Sequence, residues 1–306
     1  MRYQIDVIPC QRKDNGKKLY LQKYTCESSE QDRNILCLHG ITLASHVFDI
    51  DVKDYSVARQ FAKEGYTVWL LDAGGHGHSE EYDCGWECTT ENVSIDVVTA
   101  METIVETQSV EKVDLMGWSW GTMTTSTAAG KRPDLVGKLV MIAPVTGGTG
   151  LCQTDADFPN DKMTIWYDFA IRLFRHVGVA SGAVATKDGD QADELDLTVT
   201  EMCVVDRAMH DVFKHALGTD KPMAPNREIY TAGDKWLINA DPIKAKTLVI
   251  KGSDDIYSTQ ERVDEILSKL PEGSRCVNYK GAGHGFFFEK DYYQKFRKAV
   301  LDFLYE

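Results

Sequence analysis

The sequence predicts an α/β protein: a mostly parallel central sheet flanked by helices and interrupted by a mainly helical insertion. Three observations carry that expectation. Short apolar runs alternate with helical stretches up to residue 145, the alternation stops, and it resumes after residue 246. NILCLHG (34–40) and TVWLLDA (67–73) are apolar almost without interruption, as strands covered on both faces are. Between them, DYSVARQFAKEGY (54–66) places Val57, Ala58 and Phe61 on one helical face and stops at Gly65. Strand, helix and strand in that span form a βαβ unit, which implies parallel neighbours.

The other elements follow in order. LYLQKY (19–24) has strand character. Residues 91–108 form an amphipathic helix with Ile95, Val98, Met101, Ile104 and Val105 inward. VDLMGWS (113–119) is a strand, and TMTTSTAAGKRP (122–133) is a helix packed through small side chains and halted before Pro133. KLVMIAP (138–144) is another buried strand. TLVIKG (247–252), STQERVDEILSKL (258–270), RCVNYKG (275–281) and KDYYQKFRKAVLDFL (290–304) complete the alternation. The expected organisation is a core of residues 1–145 and 247–306 with a helical cap at 146–246. A connection of that length is seldom idle, and its aromatic content (Trp166, Tyr167, Phe169, Phe174) predicts a layer over one edge of the sheet.

Composition narrows the function. The 306 residues are 43% hydrophobic and 26% charged, ordinary for a globular chain with a sizeable core. Lys and Arg number 34 against 47 Asp and Glu, a formal charge of −13. Such a surface repels a phosphate backbone, so nucleic acid is not an expected partner. No run is apolar for long enough to span a bilayer, and MRYQIDVIPCQRKDNGKK lacks the apolar stretch of a secretory signal. The expectation is a cytoplasmic protein without stable membrane association. The eight cysteines are scattered and read as reduced thiols. Cys84 and Cys88 lie four apart with no second Cys/His pair nearby, which fits a loop better than a zinc site. No metal or organic cofactor is expected.

The sharpest local signal is Gly117-Trp118-Ser119-Trp120-Gly121, between an expected strand and an expected helix. G-x-S-x-G in that setting is a nucleophile elbow. A strained turn lifts the serine hydroxyl clear of the sheet, and the glycines let strand and helix approach closely. The helix N-terminus offers N–H groups to a developing oxyanion. A serine nucleophile needs a base, and His284 in GAGHGFFF follows the last expected strand. His76 and His78 sit in the loop GGHGHS, while His176, His210 and His215 fall in the insertion. An orienting carboxylate is available from Asp254 or Asp255, both at the end of TLVIKG. The order Ser, Asp, His differs from the orders of chymotrypsin and subtilisin and matches that of the α/β-hydrolase arrangement.

These residues resemble the α/β-hydrolase fold family along essentially the whole chain. LCLHGI (36–41) is similar to the family's strand ending in His-Gly, and the resemblance implies an oxyanion hole built from the backbone N–H groups of Ile41 and Trp120. DAGGHGHS (72–79) resembles the family's D-x-R-G-x-G-x-S loop, with Gly74 where arginine is usual. That departure removes a structural cation without touching the triad. The family spacing points to Asp255 as the acid, with Asp254 the alternative, and GAGH gives His284 as the base. Serine rather than aspartate at the elbow argues against epoxide-hydrolase and haloalkane-dehalogenase chemistry.

The implied reaction is acyl transfer through an acyl-enzyme on a small-molecule substrate. Trp118, Phe48, Trp166 and Tyr167 are candidates for an apolar pocket. Hydrolysis of a carboxylic ester, lactone or thioester is the first expectation. A prolyl-aminopeptidase-like peptidase is the second, since those relatives share Ser-Trp-Gly and Asp168, Asp193 and Glu194 could grip an amine. An acyltransferase or cyclase is the third. A non-catalytic binding protein on this fold is disfavoured by a complete triad.

Overall fold

The computed structural model describes residues 2–27, 33–40, 44–50, 53–83, 87–145, 238–255 and 257–306. Its sheet contains β1 (Tyr3–Gln11), β2 (Lys18–Cys26), β3 (Arg33–Leu38), β4 (Tyr66–Leu71), β5 (Val113–Trp118), β6 (Val136–Ile142), β7 (Lys246–Gly252) and β8 (Arg275–Tyr279). The order is β1-β2-β4-β3-β5-β6-β7-β8. β1 and β2 pair antiparallel, as do β2 and β4, and every pairing from β4 through β3 to β8 is parallel.

Burial explains the parallel portion. All of β4 is buried, as is β3 from Asn34 to Leu38. Alternate side chains serve opposite faces: Leu36, Leu38, Trp69 and Leu71 join one core, while Ile35, Cys37, Val68 and Leu70 join the other. The first core packs against α2 (Thr90–Gln108), α3 (Trp120–Lys131) and α4 (Gln260–Lys269). The second packs against α1 (Val57–Lys63) and α5 (Tyr293–Tyr305).

Local chemistry sets the helix ends. Ser56 caps α1, its hydroxyl accepting the Arg59 N–H, and Gly65 follows that helix at φ 95°. Thr89 caps α2 in the same way through Asn92 N–H. The core face of α2 is rotated from the expected one. Val93, Val97, Ala100, Met101 and Ile104 are buried, while Ile95, Val98 and Val105 are only half-buried. Ser94, Asp96 and Thr99 share the buried face because they have polar partners there or within the helix.

β1 is an element that apolar patterning does not announce. It is an edge strand with Ile5 and Val7 exposed and Pro9 within it, so it alternates weakly. The expected cap, residues 146–246, falls largely outside the described residues; only 238–246 are described, leading into and opening β7.

Candidate active site

The carboxyl ends of β3, β4, β5, β7 and β8 bring the motif residues to one edge of the sheet, where ligands of open α/β sheets bind. Ser119 joins β5 to α3 at φ 57°, ψ −123°, a left-handed conformation that costs a residue other than glycine on the order of 1–3 kcal/mol. Its N–H donates to Ile142 O at 2.9 Å, which ties the turn to β6. The flanking glycines are required by contact. A Cβ at Gly117 would collide with Gly121 O, and one at Gly121 with the carbonyl oxygens of Leu38 and His39. α3 therefore starts at Trp120, two residues before the expected position.

Ser119 Oγ lies 2.8 Å from His284 Nε2, and His284 Nδ1 lies 2.9 Å from Asp255 Oδ2. Asp255 is buried, and its Oδ1 accepts the Tyr257 N–H at 2.9 Å. Asp254 points elsewhere, accepting the Ser253 hydroxyl at an exposed position. With Asp255 accepting from Nδ1–H, the Nε2 lone pair faces the serine hydroxyl. The histidine loop is held from below: Trp118 Nε1 donates to His284 O at 3.2 Å, and Phe287 and Phe288 meet the Trp118 ring edge-on at 5.0 and 5.9 Å. Tyr257 meets the imidazole edge-on at 5.1 Å.

The neighbouring loops are built on buried polar groups. His39 is fully buried, and its Nε2 accepts the Ala73 N–H at 3.1 Å, so Nδ1 carries the proton and donates to Gly40 O at 2.7 Å. Burial, and then the neighbouring His76, push its pKa down to about 3. Asp72 accepts the N–H groups of Ser45 and His78 at 2.7 and 2.8 Å, joining the loops after β3 and β4. His76 is buried, with its ring 5.2 Å from His39 and 5.5 Å from Trp120, whereas His78 is exposed.

The glycine at position 74 has a structural counterpart. A Cβ there would press on Tyr82 and Asp96. Asp96 accepts from Gly74 N–H at 2.9 Å, Tyr82 O–H at 3.1 Å and Arg12 Nη1 at 3.1 Å. Burial pushes the Asp96 pKa up to about 6 against the pull of those donors. The buried cation thus comes from Arg12, just after β1.

Among the expected site residues, Ser119, His284 and Asp255 are brought together. Trp120 opens α3, so its N–H has no carbonyl four residues back to bond within the helix. Trp118 and Phe48 are buried, Trp118 edge-on to Phe287 and Phe48 stacked on the same ring. Ile41, Trp166 and Tyr167 lie outside the described residues, as do Asp168, Asp193, Glu194, His176, His210 and His215. Arg12 carries no motif signal in the sequence, and Tyr257 only that of its position two residues after the acid.

The sheet and the residues gathered at its carboxyl edge define an α/β enzyme of the hydrolase class. The chain belongs to the alpha/beta hydrolase fold family, whose sequence model matches residues 33–291. A Paraburkholderia phymatum protein named 2-hydroxy-6-oxononadienedioate/2-hydroxy-6-oxononatrienedioate hydrolase is 32% identical over 251 residues, covering 80% of this chain and 78% of that protein. Solved structures share the fold. A serine hydrolase from the polyaromatic-hydrocarbon-degrading bacterium Cycloclasticus zankles superposes with a TM-score of 0.66 at 15% identity, covering 98% of each chain. An enol-lactonase from Burkholderia xenovorans gives 0.60 at 22% identity, covering 95% of this chain and 98% of that one. Among the described residues no helix is long and apolar enough to cross a membrane.

Proposed function

We propose that the protein is a serine hydrolase that cleaves a carboxylic ester, lactone or thioester bearing a fairly apolar group, through an acyl-enzyme. The observation that carries this reading is the continuous line from Ser119 Oγ through His284 to Asp255, with contacts of 2.8 and 2.9 Å. Ser119 Oγ bonds to the carbonyl carbon as its proton passes to His284 Nε2. The resemblance to the family assigns the oxyanion to the N–H of Trp120, the first residue of α3, and to that of Ile41. Collapse breaks the bond to the leaving oxygen or sulfur, which takes the proton from His284. Water, deprotonated by the same imidazole, then releases the acid and restores the serine.

A second reading rests on the Paraburkholderia relative. A 2-hydroxy-6-oxo-dienedioate has a ketone and two carboxylates but no ester, so its hydrolysis breaks the carbon–carbon bond beside the ketone. The same serine and base could serve it.

The test is a p-nitrophenyl ester series from acetate to laurate, a 6-oxo-dienoate and a proline arylamide, assayed with wild type, Ser119→Ala and His284→Ala. Ester turnover in wild type, reduced by several orders of magnitude in both folded variants, is the expected result. Turnover confined to the oxo-dienoate selects the second reading. Near-normal ester turnover in either variant overturns the proposed roles, and turnover of the arylamide alone makes the protein a peptidase.

A further inference from the structure

Beside the histidine loop lies a carboxyl that the reaction as written does not use. Glu289 follows the 3-10 turn Phe286–Phe288 and is completely buried. Its Oε1 accepts the N–H of Gly283, the residue before His284, at 2.9 Å. Its Oε2 is buried and meets no hydrogen-bond partner among the described residues.

The loop needs such a clamp. Residues 281–285 read Gly-Ala-Gly-His-Gly, and Gly281 adopts φ 79°, so the backbone itself does little to restrict the imidazole. Fixed points come from elsewhere. Trp118 Nε1 holds the carbonyl of His284, Asp254 N–H holds the carbonyl of Ala282 at 3.0 Å, and Glu289 holds the amide between them.

The charged groups acting on Glu289 are Asp291 on its own segment and Asp254 and Asp255 after β7, all carboxyls; the Tyr292 phenol also faces it. An ionised Glu289 would stand against three like charges with one oxygen unsolvated, whereas the neutral acid avoids the larger share of that cost. Burial, with these neighbours adding to it, pushes its pKa up to about 7.

We infer that Glu289 is a positioning residue for His284: its carboxyl clamps Gly283 and thereby sets the imidazole between Asp255 and Ser119. This rests on the proposed role of His284 only for its catalytic consequence.

The experiment compares Glu289→Met, which fills similar space without an acceptor, with Glu289→Gln, which keeps the acceptor oxygen. The first readout is the downfield proton resonance of His284 Nδ1–H, assigned by its absence in His284→Ala. The second is the rate at which a fluorophosphonate labels Ser119. Glu289→Gln should keep the resonance and label within about threefold of wild type, and Glu289→Met should lose or broaden it and label at least about tenfold more slowly. Retention of both properties by Glu289→Met, or equal loss in both variants, overturns the inference. Should Glu289→Met not fold, amide exchange in wild type decides: protection of Gly283 N–H supports the clamp, and exchange at the rate of an open loop refutes it. The resonance needs no substrate. A protein that hydrolyses no ester but depends on Glu289 for that signal keeps this inference and loses the proposed function.

Discussion

Replacing Asp255 by asparagine changes one atom and should abolish most of the activity, for a reason visible in the hydrogen bonds. The two carboxylate oxygens have different duties: Oδ1 accepts the Tyr257 N–H and Oδ2 accepts from His284 Nδ1. An asparagine must keep its carbonyl oxygen toward the Tyr257 donor, since its NH2 group there would set donor against donor. The NH2 then faces His284 and requires Nδ1 to be the acceptor. The ring proton moves to Nε2 and points at Ser119 Oγ, 2.8 Å away, so the imidazole can no longer take the hydroxyl proton. Loss of the base through the wrong tautomer corresponds to a fall of about a thousand- to ten-thousand-fold, or roughly 4–5.5 kcal/mol of barrier. The assay is fluorophosphonate labelling of Ser119 together with ester turnover, on Asp255→Asn and Asp254→Asn in parallel. Asp254 is bonded to the Ser253 hydroxyl at an exposed position, so its variant should label at nearly the wild-type rate. Equal losses in the two variants, or an Asp255→Asn rate within about tenfold of wild type, would refute the reasoning.

Three other outcomes are expected. Gly121→Ala drives a methyl group into the backbone of Leu38 and His39 and should lower the urea-derived stability by about 1–3 kcal/mol; an unchanged midpoint would deny the close approach of α3 to β3. Arg12→Met leaves Asp96 buried without its cation and should cost about 3–5 kcal/mol, much of which Asp96→Asn in the same chain should restore. Glu289, whose ordinary pKa of 4.5 is raised to about 7 in the folded chain, holds a proton that the unfolded chain releases. Its contribution to stability is fully present below the lower value and disappears as pH rises through the higher one. The difference between denaturation midpoints measured at about pH 5 and about pH 8 should therefore shrink in Glu289→Gln, the remainder coming from Asp96 and Asp114, which burial raises to about 6, and an unchanged difference would remove Glu289 as a source.

What could be read from the sequence depended on where each element lies. The parallel strands were legible because strands covered on both faces are apolar throughout, as β3 and β4 are. β2 was legible as a strand but not in direction, since nothing in LYLQKY distinguishes an antiparallel neighbour from a parallel one. β1 escaped because an edge strand needs no apolar face; its residues are mostly exposed or half-buried. The inward face of α2 differs from the apolar pattern because hydrophobicity alone cannot anticipate a buried aspartate, and Asp96 is met there by Arg12, 84 residues earlier, together with Gly74 N–H and the Tyr82 hydroxyl. The serine, histidine and acid were suggested by motif and chain order, yet the choice between Asp254 and Asp255 is a matter of one residue of loop geometry. Glu289 left no readable mark, because its role is a hydrogen bond to backbone, which any residue could supply.

The same long-range pairing explains how this chain manages without a cation in its 72–79 loop. An arginine side chain at position 74 would have to occupy space held by Tyr82 and Asp96. Glycine there lets the backbone N–H itself reach Asp96, and Arg12 supplies the positive charge from the antiparallel edge of the sheet. The N-terminal hairpin is thereby fastened to the loop whose Asp72 holds Ser45 N–H across from the elbow. Nearer the elbow, His39 joins the loops after β3 and β4 as a neutral imidazole, with both ring nitrogens bonded to backbone. In the proposed reaction the positive charge forms at His284, where Asp255 is already in contact to meet it.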